Sequence, residues 1–202
     1  MAAITREHLA QALTYPEYRA LMRRLVAEGK TTGGEQTEQR IDFTKLNHRR
    51  MKRLDENTSL LPALRQALNE LKHDVIWVVL AEAWCGDVAQ NLPVIAAIAD
   101  ASPRVELRIL LRDKHPDVMD AYLTNGSRSI PRLICLDAAT LQERCTWGPR
   151  PEPAQELARE WKANPGQSKE EFHKALHLWY GRDQGDTLQR EFISLLNRMT
   201  TA

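Results

Sequence analysis

Apolar positions change period along the chain, and the changes divide it into segments. Leu9, Leu13, Tyr18, Leu21, Leu25 and Val26 recur at loosely helical spacing, so residues 7–28 are expected to be helical, with a break at Tyr15-Pro16. Lys30–Glu38, with Gly33-Gly34 and three threonines, reads as a flexible linker. Helical spacing resumes over Asp42–Leu54 through Phe43, Leu46, Arg50 and Leu54. Ser59 is placed to cap a third helix carrying Leu61, Leu64, Leu68 and Leu71. The first 72 residues are therefore helical and amphipathic, with apolar faces that need a surface to cover.

Val75–Ala81 breaks this pattern. It is an unbroken apolar run rich in β-branched residues, the mark of a strand buried on both faces. From Val88 a helical period returns through Leu92, Ile95 and Ala99, and Val105–Leu111 is a second strand. Strand, helix and strand in this length imply a parallel pair joined by a right-handed crossover. Pro116 opens a short helix with Val118, Met119, Tyr122 and Leu123, closed by Asn125-Gly126. Arg132–Asp137 and Leu141–Trp147 give a third and a fourth strand, and Gly148-Pro149-Arg150-Pro151 ends the pairing. Residues 153–163 are helical, Asn164-Pro165-Gly166 is a break, and two further helical patterns cover 168–180 and 187–199.

Composition adds exclusions. The net charge of +1 gives no argument for nucleic acid, and no apolar run is long enough to cross a membrane. Met1–Ala12 has no apolar stretch, so no signal peptide is expected. Three cysteines at irregular spacing do not make a disulfide framework, and a reduced, cytoplasmic protein is expected. Arg49, Arg50, Lys52 and Arg53 form the dense basic cluster, read as a solvated helix face in preference to an anion site. His173 and His177 stand four apart on a helix, but no third ligand follows in a familiar spacing. Ser127 and Ser129 lie in no nucleophile motif, and no glycine loop cradles phosphate. No metal and no cofactor are expected.

The candidate chemistry is at Trp84-Cys85-Gly86-Asp87, where the buried strand hands over to a helix N-terminus. Unpaired backbone N–H groups there favour an anion, and a thiolate is one. A free cysteine is equally a small core residue, so both readings of Cys85 stay open. Asp87 suits the helix N-terminus, yet its charge disfavours a neighbouring thiolate. Arg112, Arg132 or Arg150 would offset that charge by pointing inward.

Around Cys85 the chain resembles the thioredoxin superfamily. Trp84-Cys85-Gly86 matches the first three residues of the motif Trp-Cys-Gly-Pro-Cys, Pro93 stands eight residues after the cysteine, and Ile130-Pro131 precedes the apolar Leu133–Leu136. More narrowly, it resembles bacterial thioredoxin-like proteins of unsettled function. Those marks are Trp84–Asp87, Arg112-Asp113, Leu123–Gly126, Ser129-Ile130-Pro131 and Trp147-Gly148-Pro149-Arg150-Pro151.

The resemblance implies an α/β thioredoxin-like fold with a mixed four-stranded sheet, a helical N-terminal extension over 1–72, a thioredoxin-like domain over 73–165 and C-terminal helices over 166–202 on the same core. It implies a cis peptide at Ile130-Pro131. It also implies that the third strand runs antiparallel beside the first, so that one sheet edge gathers Trp84, Cys85, Asp87, Arg112, Asp113, Ile130, Pro131, Trp147 and Arg150. Cys85 is then the catalytic thiol, and Trp84, Gly86, Asp87, Ile130, Pro131, Trp147 and Arg150 contact the substrate.

Two departures from thioredoxin matter. Val88 replaces the second motif cysteine, and Val79 replaces the buried aspartate six residues before the first. Glu82 is the nearest preceding carboxylate, but out of place. Cys135 lies about 13 Å along its strand from Pro131, and Cys145 two strand spacings, about 10 Å, sideways from the first strand. Both exceed disulfide reach to Cys85, so oxidation is expected to form no disulfide within the chain. The motif is not that of monothiol glutaredoxins, and the glycine pair that helps those hold glutathione is absent. The expected function is a single-cysteine thiol–disulfide oxidoreductase using an external thiol, its partner a protein or small-molecule thiol or disulfide. The alternative is a non-catalytic module that holds an extended peptide along the cis-proline edge.

Overall fold

The computed structural model describes residues 4–164, 166 and 168–201. Met1–Ala3 of the expected leaderless start, Pro165 of the expected break and domain boundary, and Ala202 lie outside the described residues. Helices α1 (Arg6–Gln11), α2 (Tyr15–Ala27), α3 (Glu38–Asn57) and α4 (Pro62–Asn69) precede β1 (Val75–Ala81). Then come α5 (Gly86–Asp100), β2 (Val105–Leu111), a 3-10 turn at Arg112–Lys114, α6 (Pro116–Ala121), β3 (Arg132–Asp137) and β4 (Glu143–Trp147). α7 (Glu152–Ala163), α8 (Lys169–Asp183) and α9 (Asp186–Thr201) follow.

Among the described residues the strands form a four-stranded sheet in the order β2-β1-β3-β4. β2 runs parallel to β1, while β3 is antiparallel to both β1 and β4. This is the mixed α/β architecture that the resemblance implied. β1 is buried over its whole length, which is why its sequence shows no polar alternation. Leu80 pairs with Arg132, so the chain leaving β1 toward Cys85 meets the chain entering β3 from Ile130. α9 covers one face of the sheet, with Phe192 edge-on to Trp77 at 5.2 Å and to Trp147 at 5.5 Å. Each such ring pair adds roughly 0.5–1.5 kcal/mol beyond its buried area.

Several local expectations change. The break in the first helical segment falls at Ala12–Thr14, because Leu13 makes an antiparallel bridge to Ile109 and Thr14 caps α2 in a box with Glu17. The start of the supposed linker is packed: Thr31 and Thr32 are buried, with Thr31 Oγ1 bonded to Thr44 Oγ1 at 2.5 Å and Thr32 Oγ1 accepting from Ala83 N at 2.8 Å, while residues 34–38 are exposed. Ser59 does not cap α4. Leu61 stands at the N-cap with no side-chain bond, because Pro62 starts the helix, and Ser59 O accepts from Gln189 Nε2. α6 ends at Ala121, and Asn125 and Gly126, both at positive φ, turn the chain between Thr124 and Ser127. β4 starts at Glu143 because Leu141 is left-handed at φ 59.

Candidate functional site

The site begins with Cys85, which is the N-cap of α5 and only 9% exposed. Its thiol donates to Ile130 O at 3.4 Å, directly before Pro131, whose peptide is cis, as is Gly148-Pro149. Burial pushes the Cys85 thiol up to about 12; Asp87 adds to the push, while the backbone N–H groups of Val88 and Asp87 and the Arg150 guanidinium oppose it. At neutral pH the group is therefore a thiol.

Asp87, in the first turn of α5, is held on both oxygens. Arg150 Nη2 lies 2.6 Å from Oδ2, and the Tyr180 hydroxyl donates to Oδ1 at 2.9 Å. Asn91 Nδ2 reaches both the Asp87 carbonyl at 2.8 Å and the Tyr180 oxygen at 2.9 Å. Of the arginines named as candidates to offset Asp87, Arg150 does so. Arg132 turns instead to Thr146 Oγ1 and Gly148 O.

Trp84 forms a wall. Two guanidinium groups lie over its ring, Arg40 at 4.5 Å and Arg112 at 4.8 Å, each worth about 0.5–1 kcal/mol where exposed. Two residues before Trp84, Glu82 is fully buried and accepts from Asp113 N at 2.8 Å, and burial raises its pKa.

A cavity of about 470 Å³ opens over Cys85. Trp84, Cys85, Gly86, Asp87, Ile130 and Arg150, all expected at the site, line it. Pro131 and Trp147 are not among its lining. Trp147 is a core residue whose Nε1 donates to Glu191 Oε2 at 2.6 Å and whose ring meets Phe192. Pro131 is buried, and its carbonyl would lie 2.3 Å from a Cβ at Gly148, where φ is +109. That approach needs glycine at Gly148.

Sequence reasoning missed several neighbours of Cys85. Arg50, assigned to a solvated face, lines the cavity from α3, and Lys169, His173 and His177 line it from α8. Arg49 and Arg53 of the same cluster are exposed. Arg50 stands in the apolar phase of Phe43, Leu46 and Leu54, a signal that it points inward. Tyr180 stands in phase with Phe172 and Leu176, so its burial carried a signal, but its meeting with Asp87 did not.

His173 and His177 are ill suited to share a metal, because Arg50 Nη2 lies 3.2 Å from His177 Nε2. His8, His115 and Asp117 bring ligand atoms within 4.8 Å of one another, away from the cavity. There, His8 Nδ1 accepts from Thr5 N at 3.1 Å, so its Nε2 carries the proton and donates to Asp117. That wiring leaves no imidazole lone pair at Nε2 for an ion.

A family model described as thioredoxin matches residues 33–162. A Pseudomonas aeruginosa protein of unknown function has a solved structure that is 19% identical, with 93% of this chain and 97% of that one covered and a TM-score of 0.55. The crystal structure of an HIV epitope-scaffold is 18% identical, with 92% and 98% covered and a TM-score of 0.54. At these identities the likeness is one of fold. No curated protein matches the chain.

Proposed function

The chain belongs to the thioredoxin family, and we propose that it is a single-cysteine thiol–disulfide exchange protein acting through Cys85 and an external thiol. The observation that carries this reading is the place of one sulfur. Cys85 Sγ sits at the N-cap of α5, against the carbonyl before cis-Pro131, on the wall of an open cavity.

The exchange needs no other oxidant. The Cys85 thiol loses its proton to solvent, and the thiolate attacks a bound disulfide R–S–S–R′. The Cys85–S–S–R bond forms, and R′–S⁻ leaves and takes up a proton. A third thiolate, R″–S⁻, then attacks the R sulfur, giving R–S–S–R″ and restoring Cys85. The chain supplies no resolving thiol beside Cys85: Val88 holds the second motif position, and Cys135 lies opposite Trp77 within the sheet.

A second reading, a non-catalytic binding module, is favoured by the raised pKa and burial of Cys85. Against its extended-peptide form, Ile130 O is already occupied by the Cys85 thiol and the cavity is lined by charged side chains. Incubation with hydroxyethyl disulfide across pH 7–9, followed by peptide mapping, separates the two. Exchange predicts an adduct on Cys85 that is lost in Cys85→Ser. An unmodified Cys85 at pH 9 gives the site to the binding module.

A further inference from the structure

We infer that the cavity over Cys85 is a receptor for a carboxylate, so that the disulfide it exchanges is a small molecule bearing that group. This rests on the exchange function proposed above, but the receptor can be tested apart from the chemistry.

Arg50 comes first. It is half-buried, donates Nη1 to Asn47 Oδ1 at 3.2 Å, and makes no ion pair among the described residues. A guanidinium taken partly out of water is normally matched by an anion. Its other contact is with His177, Nη2 to Nε2 at 3.2 Å. A guanidinium only donates, so His177 Nε2 must accept, and the imidazole is neutral with its proton on Nδ1. Burial, Arg50 and His173 push His177 down to about 4, in accord with that tautomer. The Nδ1 atom is itself buried with no hydrogen-bond partner among the described residues. Arg50 and His177 therefore offer positive charge and an unused N–H, with no acceptor supplied by the fold.

Both groups converge beside the reacting sulfur. A Cβ at Gly86, the residue after Cys85, would lie 3.7 Å from Arg50 Nη1 and 3.7 Å from His177 Cε1. The carboxylates lining the cavity are already committed: Glu35 to Arg40 at 2.7 Å and Asp87 to Arg150 at 2.6 Å. Exposed Lys169, which makes no ion pair among the described residues, adds a cation at the rim. The first turn of α5 contributes the positive end of its dipole to the same place. A cavity of about 470 Å³ suits a small ligand. His177 and Lys169 lie beyond residue 162, where the family match ends, so this half of the receptor belongs to the C-terminal helices.

Two measurements test it. The first compares alkylation of Cys85 by iodoacetate and by iodoacetamide, reagents that differ in the carboxylate, with peptide mapping to isolate Cys85 from the other cysteines. In Arg50→Gln the iodoacetate-to-iodoacetamide rate ratio should fall about tenfold, as for loss of one charge-assisted hydrogen bond, and Arg50→Lys should restore most of it. Because each protein is its own control, a change in the exposure or acidity of Cys85 common to both reagents cancels in the ratio. A ratio equal in wild type and Arg50→Gln overturns the receptor. The second measurement needs no reactive thiol: the rise in Tm with glutarate, compared with neutral glutaramide at equal ionic strength. Glutarate should stabilise wild type and Arg50→Lys but not Arg50→Gln, and an equal rise in all three, or none in wild type, sinks the receptor. Should Cys85 resist both alkylating reagents while the glutarate effect depends on Arg50, the exchange function fails and the receptor stands.

Discussion

Arg150 and Asp87 form an ion pair at 2.6 Å beside Cys85, and that pair sets the electrostatics of the thiol. Asp87 raises the thiol pKa and Arg150 lowers it, both behind the larger effect of burial. Asp87→Asn removes the negative charge and leaves the guanidinium and the helix N–H groups in place. The Cys85 alkylation midpoint should therefore move down from about 12, by on the order of one unit, about 1.4 kcal/mol. Arg150→Gln should move it up and destabilise the fold by roughly 3 kcal/mol, since a buried carboxylate loses its partner. Iodoacetamide rates against pH, with urea unfolding of the same variants, measure both. Coincident profiles for Asp87→Asn and wild type would uncouple the carboxylate from the thiol.

Much of this arrangement was legible in the chain. β1, β2 and β3 begin and end at the residues read from the chain; β1, central in the sheet and buried throughout, shows no polar alternation, whereas the outer strand β2 carries Glu106 and Arg108. The Cys85 side of the site followed from local order: strand, motif, helix. What was hidden depends on long-range placement. Arg50 and His177 are 127 residues apart, and Tyr180 and Asp87 are 93 apart. No local period records which face of α8 docks on the N-terminus of α5. The buried threonines of the 30–38 segment were misread for a related reason. Their composition is that of a loop, but Thr32 serves the backbone of Ala83 from outside the local sequence.

Tyr180 is the anchor of α8 at the site. Its hydroxyl donates to Asp87 and accepts from Asn91, so Tyr180→Phe leaves two buried polar groups each short of one partner. The expected loss is about 1–3 kcal/mol, visible as a lower urea midpoint at constant m-value. Because the ring still packs with Trp179 at 5.1 Å and within the small α7–α8 core, the helix should remain docked. An unchanged midpoint would mean that water replaces the hydroxyl at no cost.

Glu82 should make stability fall with rising pH. It is fully buried, and Oε2 has no hydrogen-bond partner among the described residues. Burial raises its folded pKa above the ordinary 4.5, so the folded state holds its proton longer than the unfolded chain does. Its contribution is then fully present below the unfolded value and is lost as pH rises through the folded one. Glu82→Gln cannot ionise and keeps an oxygen for Asp113 N–H. Urea unfolding from pH 4 to pH 8 should show wild type losing stability relative to Glu82→Gln. A gap between the two that stays constant with pH would show that Glu82 ionises as freely in the fold as out of it.

The expectation that oxidation forms no disulfide within the chain considered partners for Cys85, and the structure supplies a different pair. Cys135 on β3 stands directly opposite Cys145 on β4, in register. Opposed residues of an antiparallel ladder have Cα atoms about 4.5–5.5 Å apart, inside the roughly 4.4–6.8 Å span of disulfides. Both thiols also point at one sulfur, Met199 Sδ, at 3.6 Å from Cys135 and 3.9 Å from Cys145. Cys135 is fully buried, whereas Cys145 lines a second cavity of about 360 Å³ with Met199, so an oxidant can reach the pair from that side. Treatment with diamide should join Cys135 to Cys145 while leaving Cys85 free, and peptide mapping under non-reducing conditions reads the linkage. The bond would close a loop of about ten residues that the hairpin already holds together, so the gain in stability should fall at or below the usual 2–4 kcal/mol. Cys145→Ser should abolish the cross-link without changing the reaction of Cys85 with hydroxyethyl disulfide, because the two sulfur sites do not share a cavity. A diamide product linking Cys85 to Cys145 would instead require the β3–β4 edge to leave the sheet.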